Sequence, residues 1–182
     1  GRLDVQMLAI MTGATVTGHY SISSRLALFI VLMTSSFAAV LAPRLSAFEN
    51  KQKEKEYILK ATLTTIPIVL GTIFWIIIAE PFIVILFGDK YLPSVPMFQA
   101  LASAMIPFII TAPSVTAIIY SMKKPVYIGI FSVFQLAIIF IVNILLIPKV
   151  GAYGPIVAFA ITNTLLAIYT WVIVIKHYWL TK

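Results

Sequence analysis

The sequence predicts an all-α, polytopic transmembrane helix bundle of about five full spans plus a partial N-terminal helix. Three observations carry that prediction. Five almost uninterrupted apolar stretches run Ile22–Ala42, Ile58–Ala79, Met97–Tyr120, Val126–Ile147 and Ile156–Ile175, each bounded by charge or proline. About 20 such residues carry a helix across ~30 Å of hydrocarbon. The chain is 61% hydrophobic and only 10% charged, far below the ~25% charged that a soluble domain needs to wet its surface. Finally, the basic residues fall in the short loops between apolar runs, which attributes the net charge of +7 to membrane topology and not to nucleic acid.

The elements follow in order. Residues 1–20 read as a partial helix and turn: 4–17 are mostly apolar but too short for a full span, and Gly13 and Gly18 loosen the approach to an outer turn near His19. The chain is therefore expected to begin partway along a helix. Pro43 is expected to end the first full span, because proline cannot continue the hydrogen-bond ladder. Residues 44–57 (RLSAFENKQKEKEY) are the strongly polar stretch, expected as a cytoplasmic interfacial loop or short helix with solvated charges, including Glu49, Glu54 and Glu56. The second span carries Pro67 and Gly71, which predict a kink. Its tail, residues 82–88, is compatible with a continuation or with a separate short helix. The third span holds Pro96, Pro107 and Pro113; repeated breaks fit a moving element or a cavity wall, or simply a curved helix. The fifth follows a compact turn, with Pro155 tolerated near the start of its helix.

Orientation follows from the lysines and arginines. Arg44, Lys51, Lys53, Lys55 and Lys60 follow the first full span; Lys90 alone follows the second; then come Lys123 and Lys124, then Lys149, then Lys176 and Lys182. Basic-rich loops face the cytoplasm, which puts the C-terminus there in a multi-pass cytoplasmic membrane protein.

Enzyme motifs are missing: no G-x-S-x-G, H-E-x-x-H or Walker A pattern occurs. Cysteine is absent, and His19 and His177 lie near opposite ends of the chain, so nothing calls for a metal or cofactor. Two charges enter or approach hydrocarbon, Asp4 and Arg25. Each costs ~2.5–3.5 kcal/mol at a helix centre, so such groups face a cavity or a partner. Arg25 either snorkels to the outer interface or offers its guanidinium to phosphate oxygens. Gln135, Asn143 and Asn163 are polar intrusions suited either to substrate hydrogen bonds or to interhelical packing.

These residues also carry a resemblance. Asp4, then Val16-Thr17-Gly18-His19-Tyr20, Arg25-Leu26 and Ala42-Pro43-Arg44-Leu45-Ser46 resemble the middle of the polysaccharide flippases of the multidrug/oligosaccharidyl-lipid/polysaccharide exporter superfamily. Leu86-Phe87-Gly88-Asp89-Lys90-Tyr91 is similar to the family's L-F-G-x-x-Y. Asn143, with Leu146-Ile147-Pro148, Gly151 and Gly154, is similar to its N-x-x-L-I-P-x-x-G-x-x-G. Thr17 and Pro155 depart from that pattern.

The resemblance implies that residues 1–182 form the C-terminal bundle of a transporter with about twelve to fourteen spans, working by alternating access. It implies a lipid-linked oligosaccharide of the polyprenyl pyrophosphate type as substrate, the lipid bilayer and a missing N-terminal half as partners, and no catalysis. Arg25 would attract the pyrophosphate, Asp4 would be its counter-charge or a cation-coupling group, and Gln135, Asn143 and Asn163 would meet sugar. The competing readings are a multidrug/cation antiporter or lipid II flippase of the same fold. Further off lie a polytopic glycosyltransferase and a non-catalytic membrane subunit.

Overall fold

A computed structural model describes residues 3–48 and 50–180, and its regular elements are all helical. The short helix α1 (Leu3–Thr12) precedes α2 (Ala14–Ser46). The second span is built from α3 (Lys51–Thr64) and α4 (Ile66–Ile77), followed by α5 (Ala79–Phe87) and a 3-10 turn, Asp89–Tyr91. Helix α6 (Ser94–Thr116) ends in a π-helical turn, Ala117–Ser121. Helix α7 (Pro125–Val150) and α8 (Tyr153–Ile175) follow, and α8 also closes in a π turn, Lys176–Leu180. Five of these units are long and apolar enough to cross a membrane: Ala14–Ser46, Lys51–Ile77, Ser94–Ser121, Pro125–Val150 and Tyr153–Leu180. Their outer faces expose Phe29, Leu32, Met33, Phe74, Ile77, Val133 and Phe134, more apolar surface than water tolerates on a monomer. The chain is a multi-pass membrane protein.

Several boundaries differ from the sequence expectation. The break before the first full span falls at Gly13, whose φ of 89° favours glycine; His19 lies well inside α2. Pro43 does not end that span, and the helix runs on to Ser46. A proline so near a helix end forfeits one ladder bond, and the last turn is held by Ser46 Oγ donating to the Pro43 carbonyl (2.8 Å). The polar stretch is not a loop throughout: 44–46 complete α2, and 51–57 are the first turns of α3. Asn50 caps them by accepting from the Gln52 N–H at 2.8 Å. The expected break is present, at Thr65, which separates α3 from α4, with Pro67 in the first turn of α4. The tail 82–87 belongs to a separate helix, α5, divided from α4 at Ile78 and capped at Gly88. Glu49 and Lys182 lie outside the described residues.

The centre of the bundle is α6. It buries Phe98, Leu101, Ala102, Met105 and Ile109 and packs along both α2 and α8. By contrast α7 buries only Phe131, Asn143 and Ile147 and leans chiefly on α8. Their turn is tight: a Cβ on Gly154 would sit 2.9 Å from the Ile147 nitrogen, which explains glycine there. Helix α1 folds back to touch both α2 and α7. A second apolar cluster, including Leu45, Ile58, Ile118 and Val174, ties α2, α3, α6 and α8 together at one end. Arg44, Lys51, Lys53, Lys55, Lys123, Lys124 and Lys176 gather at that end, while Lys90, just after α5, and Lys149, in the last turn of α7, lie at the other.

Candidate functional site

The site begins with the backbone break at Gly13. Asp4 and Tyr20 are 16 residues apart, about 24 Å along a straight helix. Their side chains nevertheless meet, the Tyr20 hydroxyl donating to Asp4 Oδ2 at 2.7 Å. Only a chain that reverses at Gly13 brings them together. Asp4 is buried, so its carboxyl group sits inside the bundle with a specific donor, as burial of such a group demands.

Asp4 and Tyr20 line a cavity of about 240 Å³ with Ser24, Ala27, Leu101 and Met105. It opens along the seam where α2 meets α6. Met7, one turn after Asp4, meets Asn143 of α7: the amide nitrogen lies 3.9 Å from the thioether sulfur. Asn143 is fully buried, and its Oδ1 has no hydrogen-bond partner among the described residues.

The same seam continues toward the basic end into a second cavity of about 280 Å³. Its polar lining comes from Thr34, Ser35, Thr111, Thr116, Ser132 and Gln135. Thr34, Thr111, Thr116 and Ser132 donate to carbonyls of their own helices (2.6–2.9 Å). Their oxygens therefore offer lone pairs to the cavity but no spare proton. Gln135 brings an amide that can both donate and accept.

Asn163 has a different task. Its Nδ2 donates to the Ala104 carbonyl of α6 at 2.9 Å, and Trp171 Nε1 donates to the Ile110 carbonyl at 3.1 Å. Pro107 and Pro113 disrupt those two turns of α6, and α8 supplies the side-chain donors that satisfy them. Asn163 thus acts in packing, and Ser114 donating to Thr170 Oγ1 (2.9 Å) adds a third α6–α8 bond.

Arg25 is exposed on the flank of α2 and is not among the residues lining either cavity. The structure brings Asp4 to Tyr20 instead. The solvated role expected of Glu54 also fails: it is buried against Ser121, whose hydroxyl donates to it and also meets the Tyr178 hydroxyl. Beside this network Lys55 lies 4.5 Å from the centre of the Trp179 ring. Among the described residues no three His, Cys, Asp or Glu side chains gather as a metal site would require.

Sequence reasoning missed Tyr20 as the partner of Asp4 and missed the hydroxyls of the second cavity. The available signal for Tyr20 was its position: Asp4 and Tyr20 stand nearly equidistant from Gly13.

Among curated proteins and among solved structures, none significantly matches this chain. A family model described as polysaccharide biosynthesis protein matches residues 2–96, just over half of the chain. That span holds Asp4, Tyr20 and Arg25 but stops before Gln135, Asn143 and Asn163. The chain, a membrane helix bundle with an acid built into its interior, belongs to the polysaccharide biosynthesis protein family.

Proposed function

We propose that the chain is one bundle of a flippase that moves lipid-linked oligosaccharide across the cytoplasmic membrane by alternating access, its other wall supplied by a second, N-terminal bundle. The observation that carries this reading is the pair of cavities in series along the α2–α6 seam. A hydroxylated glycan suits the uncharged, hydroxyl-lined cavity, where Gln135 donates and accepts. Arg25, on the exposed flank of α2, would meet the pyrophosphate of the carrier once the second bundle faces it. The concentration of lysines at one end supports that end, and the C-terminus, as cytoplasmic.

One observation favours a second role for Asp4, coupling to a cation. Asn143, whose Oδ1 has no partner among the described residues, contacts Met7, the residue one helical turn along α1 from Asp4, and carboxylate and amide oxygens are hard-cation ligands.

The test is reconstitution. A two-bundle protein containing residues 1–182 is placed in proteoliposomes with a fluorescent lipid-linked oligosaccharide. The expected result is equilibration of the substrate between leaflets, seen as quenching by a membrane-impermeant agent, and none with residues 1–182 alone. If the complete protein leaves the substrate in one leaflet, the flippase reading is wrong; flipping by the single bundle as a monomer sinks its assignment as half of a transporter.

A further inference from the structure

A third recess lies at the basic end, between the start of α7 and the last turn of α8, and it is separate from the α2–α6 seam. Its volume is about 480 Å³. Lys124, Lys176 and His177 form its rim, and Tyr127, Val172 and Ile173 its wall. Val172 stands one turn deeper along α8 than Lys176, so cations sit toward the membrane surface and apolar side chains toward its interior.

The backbone around this recess is unusual on both sides. Helix α6 reaches it through the π turn Ala117–Ser121, and α8 ends there in the π turn Lys176–Leu180; such turns recur at functional sites. Lys123 has a φ of 55°, a left-handed conformation that costs a residue with a Cβ roughly 1–2 kcal/mol relative to glycine. The turn is pinned by the Lys124 N–H donating to the Ile118 carbonyl and the Met122 N–H to the Ala117 carbonyl, each at 2.9 Å. A lysine therefore stands where glycine would be cheaper, next to Lys124. Glu54 of α3 is turned to Ser121, which also meets Tyr178.

We propose that this recess binds the phosphate headgroup of an anionic phospholipid from the leaflet at the basic end, with an acyl chain lying on Val172 and Ile173. Clustered cations between helix ends at a membrane surface recognise such headgroups. A free phosphate would satisfy the rim equally but gain nothing from the apolar wall, which runs on into the exposed Ile168 of α8 and the exposed Val126 and Ile130 of α7. Lys124 Nζ, 5.8 Å from the Tyr127 ring centre, is held at headgroup depth as interfacial aromatic residues are.

The experiment is lipid retention by the purified full chain, counted by native mass spectrometry after exchange into phosphatidylglycerol or phosphatidylcholine. Wild type should retain phosphatidylglycerol and not phosphatidylcholine. Lys124→Gln with Lys176→Gln should weaken retention at least about tenfold, from roughly fivefold per cation. Lys53→Gln with Lys60→Gln removes equal charge from exposed lysines on α3 outside the recess and should change little. The double arginine variant, Lys124→Arg with Lys176→Arg, should retain the lipid, which separates loss of binding from loss of fold. Equal loss in the two glutamine pairs would reduce the effect to diffuse charge and overturn the site. Displacement of the lipid by millimolar inorganic phosphate, or equal retention of phosphatidylcholine, would overturn the lipid assignment.

Discussion

The two cavities along the α2–α6 seam are nearly equal in volume, about 240 and 280 Å³, yet they are built from opposite chemistry. The one walled by α1 holds a buried acid with a dedicated phenolic donor. The one flanked by α7 is lined by no ionisable group among the described residues, only by an amide and hydroxyls, four of which already donate to carbonyls of their own helices. Distance along the helices explains the separation. Asp4 is placed by a backbone reversal at one end of α2, whereas Thr34, Thr111 and Thr116 need nothing but helical register. Charge is expensive in hydrocarbon and demands an engineered partner; a hydroxyl satisfies itself and can be scattered. A protein that handles a charged and a polar part of one substrate, or a substrate and an ion, gains by keeping these environments apart.

The contrast can be broken most directly at Asp4. If the proposed flippase reading holds, Asp4→Ala in the two-bundle protein is expected to lower glycan export about tenfold or more at matched membrane abundance, the scale of losing a hydrogen bond to an ionisable group. Export at the wild-type level would show that the acid does no more than fill space. A smaller effect is expected at Arg25, because it is exposed on the flank of α2. Arg25→Lys should retain most export and Arg25→Gln should lose several-fold, since a phosphate ligand uses the planar fork; normal export by Arg25→Ala would remove the pyrophosphate role. The least disruptive test maps which end each cavity opens to. The chain has no cysteine, so Gln135→Cys and Ala27→Cys report without background. With Asp89→Cys as the marker of the proposed outer side and Lys53→Cys as that of the proposed inner side, Gln135→Cys is expected to react with an impermeant thiol reagent only after lysis. Labelling of Gln135→Cys on intact cells, with both markers behaving, would reverse the proposed polarity of the seam.

How much of this was legible beforehand depends on the range of the interaction. The five spans were readable because a long apolar run leaves a helix few alternatives, and the segregation of lysines to one end followed from loop order alone. Helix ends were less readable. Pro43 reads as a stop, but one lost bond in a last turn does not outweigh a helix already packed through Leu41 and Leu45. Contacts across the bundle were least readable. Asn163 and Trp171 resemble any polar or aromatic residue in an apolar run until the disrupted turns of α6 are placed opposite them. Glu54 lies in a run of charges that looks uniformly solvated, and only the approach of Ser121 and Tyr178 singles it out.

The bonds from α8 to α6 have a mechanical consequence. Two prolines would ordinarily make α6 the flexible member of the bundle, but Asn163 and Trp171 splint it at both weak points, and Ser114–Thr170 adds a rivet beside the second. Helices α6 and α8 then behave as one stiff beam that transmits torque along its length. The compliance of the bundle moves to its more lightly held member, α7, with three buried side chains.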